Sequence, residues 1–421
     1  MQAGVAGAEF TPEPGLVLQG HLSRNPSHAV LYPLEARAIV FDDNHARVCI
    51  ITLDVIGVEL AFTQRVRQQV SAKTGIRADH ILIAASHTHC APAMLHNLAM
   101  TPDSSFVQHV ERAAVQCAIE AAKHLHPVTL GLGCGSAHFN VNRRPVEPHQ
   151  QFGVNWAGVV DHRARVLRVD GLDERPLAML FHFSCHPTTK QGSEGFISAD
   201  YPGAARRLIE EQLQCPALFL PGCFGNVRPQ INGAFTSANK EQLDAVGRQL
   251  AQGVMKATRF LATRPASGLS AQESELYLAF RQSKAPEELE VIAQGGATLG
   301  AQVKGQWARR TLDAIRSGSL PQGLASVMQV MKIGPLMLVA IPGEPVQEIG
   351  YAIERTLAHL DGIDDLWPMG YCNDQIGYLV TERQKQEGGY EPNAYTFYDR
   401  PAGYVDEERV IVELAGKLCS P

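Results

Sequence analysis

Six short apolar runs, at 38–41, 48–53, 81–85, 178–183, 217–220 and 336–341, constrain this chain more than any other feature. Each is too short for a helix and is bounded by turn-forming residues, so each predicts a buried strand. Between them the apolar spacing turns helical, over 59–74, 105–125, 201–213, 240–262 and 345–360. Strands alternating with helices predict an α/β fold, a layered mixed β-sheet core flanked by helices. We read residues 1–421 as one domain. Residues 265–323 break the pattern and read as an insertion or a lid-like subdomain. Residues 370–403 are rich in Gly, Tyr, Asn and Pro with little periodicity. Irregular segments of that length inside compact domains are often functional.

Polar, ligand-capable side chains recur where the apolar runs end. The run 81–85 closes on Ser86-His87-Thr88-His89, and two residues apart on an extended chain share a face. His182 and His186 bracket the end of the run 178–183. Glu344 follows a Pro342-Gly343 turn and precedes a helical pattern. Tyr371, Tyr378, Tyr390 and Tyr395 fall in the irregular segment. Ligands bind at the carboxyl ends of strands in open α/β sheets. Two His and one carboxylate suit a catalytic zinc ion with a coordination position left for water. Spacing alone leaves each residue its structural alternative, because no HExxH motif is present.

Several other candidates read as structural. Asp54 suits a cap or hydrogen bond better than a second metal ligand. Asp161-His162 opens a strand, and His96 and His109 read as solvated. Gly131-Leu132-Gly133-Cys134-Gly135 has no P-loop Lys after it, so nucleotide binding is rejected. Cys90 and Cys185 read as small packing residues. Asn140 and Asn142 would orient substrate or hold a turn.

The net charge of −6, without a Lys/Arg run, argues against nucleic acid as a partner. No apolar stretch is long enough for a membrane span, and the first residues lack the pattern of a signal peptide. We therefore expect a cytoplasmic protein without integral membrane association. Nine Cys, odd in number and without a CxxC pair, fit reduced thiols. The partner expected is a small molecule, and a homo-oligomer is left open.

The motifs, in order, resemble those of the neutral/alkaline non-lysosomal ceramidases, zinc amidases that cleave the N-acyl bond of ceramide. The resemblance rests on Ser86-His87-Thr88-His89-Cys90-Ala91-Pro92, Asn142-Arg143-Arg144-Pro145, His186-Pro187-Thr188, Ser198-Ala199-Asp200 with Gly203, Pro342-Gly343-Glu344, and Tyr378-Leu379-Val380-Thr381 followed by Tyr390-Glu391. It implies the fold of that family's catalytic domain. It also implies one zinc ion held by His87, His186, Glu344 and Tyr378, with His89, Arg143 and Tyr390 around the scissile carbonyl. In those roles an imidazole hands a proton to the leaving amine. A cation and a hydroxyl stabilise charge on the carbonyl oxygen.

The chain departs from the family at Gly225-Asn226-Val227-Arg228-Pro229-Gln230, where the family has Gly-Asp-Val-Ser-Pro-Asn. A serine nucleophile at that point is excluded. Arg228 would grip a substrate carboxylate or phosphate, or replace a local hydrogen-bond network. Asn142 and Arg228 are thus the expected substrate-binding residues. Family members with ceramidase activity also carry a signal sequence and a C-terminal β-sandwich, neither of which is seen here. The expected function is a zinc-dependent amidohydrolase cleaving a C–N bond in a soluble N-acyl compound. The alternatives are a zinc esterase or lactonase and a silent ligand-binding relative.

Overall fold

The computed structural model describes residues 1–147 and 150–419. Eight strands form the main sheet: Gln2–Glu9 (β1), Glu35–Asp42 (β2), Arg47–Leu53 (β3), Ile81–Ala85 (β4), His126–Ser136 (β5), Arg163–Gly171 (β6), Pro176–Phe183 (β7) and Ala217–Pro221 (β8). Their spatial order is β8-β7-β6-β5-β1-β2-β3-β4. The outermost pairs, β8 with β7 and β3 with β4, are parallel, and every pair between them is antiparallel. The expected mixed sheet is therefore present.

The joint between β5 and β1 consists of Gln2↔Pro127 and Ala3↔His126. So short a ladder lets the sheet act as two halves. Their inner faces share one apolar core, with Ile39, Ile50 and Leu82 from one half and Leu130, Leu167 and Leu218 from the other. The two edge strands, β4 and β8, consequently touch. Strand β4 is buried along its whole length, as expected of a strand covered on both faces.

Helices cover the outer faces. Leu60–Thr74 (α1) and Ser104–Lys123 (α2) insert Phe62, Val66, Phe106 and Val110 against one half. Asp200–Leu213 (α3) and Lys240–Thr258 (α4) insert Ile209, Leu250 and Val254 against the other. The Asp103 side chain accepts from Phe106 N at the start of α2, and Asn239 forms a reciprocal cap with Gln242 at the start of α4. The Gly-rich run 131–135 lies inside β5, where a Cβ at Gly135 would sit 2.0 Å from Gly253 O. Those glycines let α4 lie close on the sheet, which gives them a packing role.

Leu269–Ala279 (β9), Gly323–Ile333 (β10), Leu336–Ala340 (β11) and Asp365–Met369 (β12) form a second sheet in that order. One face adds Leu338, Trp367 and Met369 to the shared core. The other packs Met328 and Val339 against Ile349 and Ile353 of Gln347–Thr356 (α7) and Ile411 of Glu407–Cys419 (α8). Within 265–323, β9 pairs along its full length with β10. Pro286–Ala293 (α5) and Leu299–Ser317 (α6) carry their own small core of Leu289, Trp307, Ala308 and Leu312. The helical pattern expected over 345–360 starts late, because Glu344–Pro345 is a short strand beside Tyr378–Leu379.

Candidate metal centre and its surroundings

Histidine 87 sits just past β4 with φ of 67°, a left-handed conformation rare outside glycine and typical of strained functional positions. Its Nδ1 faces the carbonyl oxygen of Ile56. The Nδ1 of His186 faces Phe224 O at 2.7 Å and Val227 O at 3.1 Å. A carbonyl only accepts, so in both rings Nδ1 carries the proton and Nε2 keeps a free lone pair. Both free lone pairs point at Glu344: His87 Nε2 and His186 Nε2 lie 3.2 and 3.3 Å from its Oε2. His89 Nε2 is 3.2 Å from His87 Nε2.

Those separations fit a bound cation. Ligand atoms about 2.0–2.1 Å from a tetrahedral ion are about 3.3 Å apart. His186 Nε2 and Glu344 Oε2 are buried and make no hydrogen bond. His87, His89 and His186 together could hold a metal ion. Burial, followed by the neighbouring His87, holds His89 well below the ordinary imidazole range. Burial, followed by the Arg143 charge, lowers His186 to about 3. Neutral imidazoles are the metal-binding form.

Glu344 is held from behind. Its Oε1 accepts from the Tyr398 hydroxyl and from Gln375 Nε2 at 3.4 Å. Tyr371 lies over His87, with ring centroids 4.2 Å apart, and stacks on Phe224. Asp200, also at positive φ, accepts from Lys190 N at 2.9 Å and from Tyr201 N at 2.7 Å, which secures the loop after His186.

Arg143 occupies the adjoining wall. Its Nε donates to Glu391 Oε1 at 2.8 Å. Its Nη2 donates to Gly225 O at 2.6 Å and to the Tyr378 hydroxyl oxygen at 2.9 Å. Its guanidinium carbon lies 5.5 Å from the Tyr378 ring centroid and 5.6 Å from that of Tyr390. Burial pushes the Tyr390 hydroxyl up to about 12. Glu391 also receives Arg144 at 3.1 Å, so it ties the 390s segment to the 140s loop.

Most of the expected residues lie together. His87, His89, His186 and Glu344 converge, and Arg143, Tyr378 and Tyr390 line the adjoining wall. Tyr378 is described there by its bond to Arg143 and by its backbone pairing with Glu344. Asn142 spends both polar ends internally: Nδ2 donates to Val159 O and Oδ1 accepts from Arg144 N, each at 2.9 Å. Those bonds tie the 142–144 turn to Val159. Other residues singled out lie elsewhere. His182 is buried against Trp367 with Nε2 3.2 Å from Pro368 O. Asp54 pairs with Arg206 at 2.7 Å. Tyr395 packs on Trp307.

Residues 24–304 match the family described as neutral/alkaline non-lysosomal ceramidase, N-terminal. The chain belongs to that family. It is 23% identical to a neutral ceramidase of Mycobacterium tuberculosis over 86% of its own length and 68% of that protein. It is 26% identical to neutral ceramidase B of Dictyostelium discoideum over 48% of its length, a stretch spanning 30% of that relative. Its fold matches the crystal structure of neutral ceramidase from Pseudomonas aeruginosa with a TM-score of 0.77 at 18% identity, covering 99% of this chain and 74% of the other. No helix among the described residues is long and apolar enough to cross a membrane.

Proposed function

We propose that this chain is a zinc-dependent amidohydrolase that cleaves the C–N bond of an N-acyl compound more polar than ceramide. The observation that carries the reading is the convergence of imidazole Nε2 atoms and Glu344 Oε2 at tetrahedral spacing, with two of those lone pairs left bare. His87, His186 and Glu344 would hold the ion, with Tyr378 as the fourth protein donor. A zinc ion there would polarise a carbonyl and acidify a water molecule.

The remaining work belongs to side chains. His89, neutral before the reaction, takes the proton of the attacking water and returns it to the leaving nitrogen. Arg143 spends Nε and Nη2 on fixed bonds, and its charge would stabilise the negative charge that develops on the carbonyl oxygen. Tyr390 stays protonated at neutral pH and donates to the same oxygen. Arg228, a cation where ceramidases have serine, favours a polar substrate over a neutral lipid.

The test is metal analysis of purified protein, together with amine release from a panel of N-acyl compounds and their matched esters. About one zinc per chain and chelator-sensitive amine release are expected. Protein that neither retains nor takes up zinc would overturn the reading, and turnover of the esters alone would move it to an esterase.

A further inference from the structure

Arg228, half-buried, differs from the buried arginines. Arg67, Arg143, Arg165 and Arg206 each meet a carboxylate within 2.8 Å. Arg228 meets none among the described residues. Its Nε is buried without an acceptor, and the Phe235 ring lies 4.5 Å from the guanidinium carbon. A half-buried cation that no carboxylate contacts is an expected place for a charged ligand to complete the structure. Burial and the nearby Arg143 charge lower it to about 10, which leaves it charged at neutral pH.

Its location ties it to the metal-capable cluster. Arg228 follows Val227, whose carbonyl receives His186 Nδ1. On another side lies His21, whose ring centroid is 5.2 Å from that of His89. Gly20 makes this approach feasible: a Cβ there would lie 2.4 Å from the His89 ring. His21 Nδ1 is buried and has no partner. The loop that carries Phe235 reaches the same side: Ser237 Oγ accepts from Gln191 N at 3.1 Å, and a Cβ at the next residue, Gly192, would lie 3.7 Å from His21 Nδ1, where an imidazole has a donor to offer.

We propose that Arg228 and His21 form an oxyanion-binding subsite beside the metal-capable cluster, and that the substrate carries a carboxylate or phosphate a few bonds from its scissile carbonyl. The substrate half of this statement rests on the amidohydrolase reading, whereas the anion site stands without it. The planar guanidinium suits two-point binding of a carboxylate or phosphate oxygen pair. Replacing the family's serine with arginine exchanges a hydroxyl for a fixed positive charge at that position.

Calorimetry on metal-free protein tests the site, because removing metal stops a carboxylate from binding through the ion. The probes are glutarate, inorganic phosphate and neutral glutaramide. Glutarate should bind wild type and weaken at least tenfold in Arg228→Met, with Arg228→Lys between them. Glutaramide should bind neither. Phosphate binding without glutarate binding would keep the site and name phosphate as its source. The Arg228→Met melting temperature should stay level or rise, since an uncompensated charge is removed. Equal anion affinity in wild type and Arg228→Met would overturn the proposal, as would no anion binding by wild type. A lower melting temperature with unchanged affinity would assign Arg228 a structural role instead. Amine release from an uncharged N-acyl substrate is read separately, so the amidohydrolase reading can survive the loss of this one.

Discussion

Two buried polar clusters lie beside neighbouring strands of the main sheet, and they are built on opposite principles. Past the end of β3, Asp54 accepts from Arg206 Nη2 at 2.7 Å, from Arg206 Nη1 at 3.3 Å and from Glu35 N at 3.0 Å. Glu35 also receives Arg206 at 2.7 Å and Arg37 at 2.9 Å. That cluster closes on itself. Past the end of β4, His87, His186 and Glu344 satisfy their outward-facing atoms and leave Nε2 and Oε2 turned toward one another. That cluster could be completed by a cation. Burial and charge are common to both, and what separates them is whether any lone pair remains unspent.

Glu344→Ala or His186→Ala should give the largest effect. Each removes a donor for which the others have no substitute. Metal content should fall from about one zinc per chain to background, and amine release with it, while the circular dichroism of the folded protein persists. Retention of stoichiometric zinc by both variants would erase the contrast between the clusters. Asp54→Ala attacks the closed cluster. Removing one partner of a buried pair costs roughly 3–5 kcal/mol, read as a lower urea midpoint. The folded fraction should keep its zinc, and loss of zinc without loss of stability would show that the two clusters are one.

Tyr398→Phe sharpens the comparison from the side of the metal-capable cluster. Its hydroxyl is the close donor that holds Glu344 Oε1. Losing such an outer partner typically costs about 10–100-fold in metal affinity or activity. A chelator competition titration measures it. The phenylalanine should pack in the same space, so the urea midpoint should shift little. An unchanged zinc affinity would mean that Gln375 and the backbone suffice to orient Glu344.

The sequence showed these features unequally, for physical reasons. Strands buried on both faces, such as β4 and β8, are continuous apolar runs and stand out. Strand β5 is interrupted by glycines that serve α4, and β9 alternates buried with exposed positions at the edge of its sheet, so neither forms such a run. Within the site, His87, His186 and Glu344 stand in ordered short phrases. Tyr398 and His21 take their meaning from partners far along the chain, and nothing local separates Tyr398 from Tyr395. Sequence also could not divide His182 from His186. Both lie near the end of β7, yet the first still belongs to the strand and is sealed between sheets.

That pair of histidines supplies the smallest effect per step. Burial lowers both His182 and His186 to about 3. Each is therefore neutral when folded and takes up a proton near pH 6.5 when unfolded. The unfolded state binds more protons in this window, so folding stability rises with pH and falls as pH drops from about 6.5 toward 3. The slope approaches about 1.4 kcal/mol per pH unit for each histidine. His182→Phe removes one contribution and keeps an aromatic ring against Trp367. In metal-free protein its stability should be slightly lower at pH 7, for the lost bond to Pro368 O, and less sensitive to acid between pH 6 and 5 than wild type. Zinc should still bind. The same flattening without zinc binding would place His182 in the open cluster, whereas an unchanged slope would mean that its proton affinity is not altered by folding.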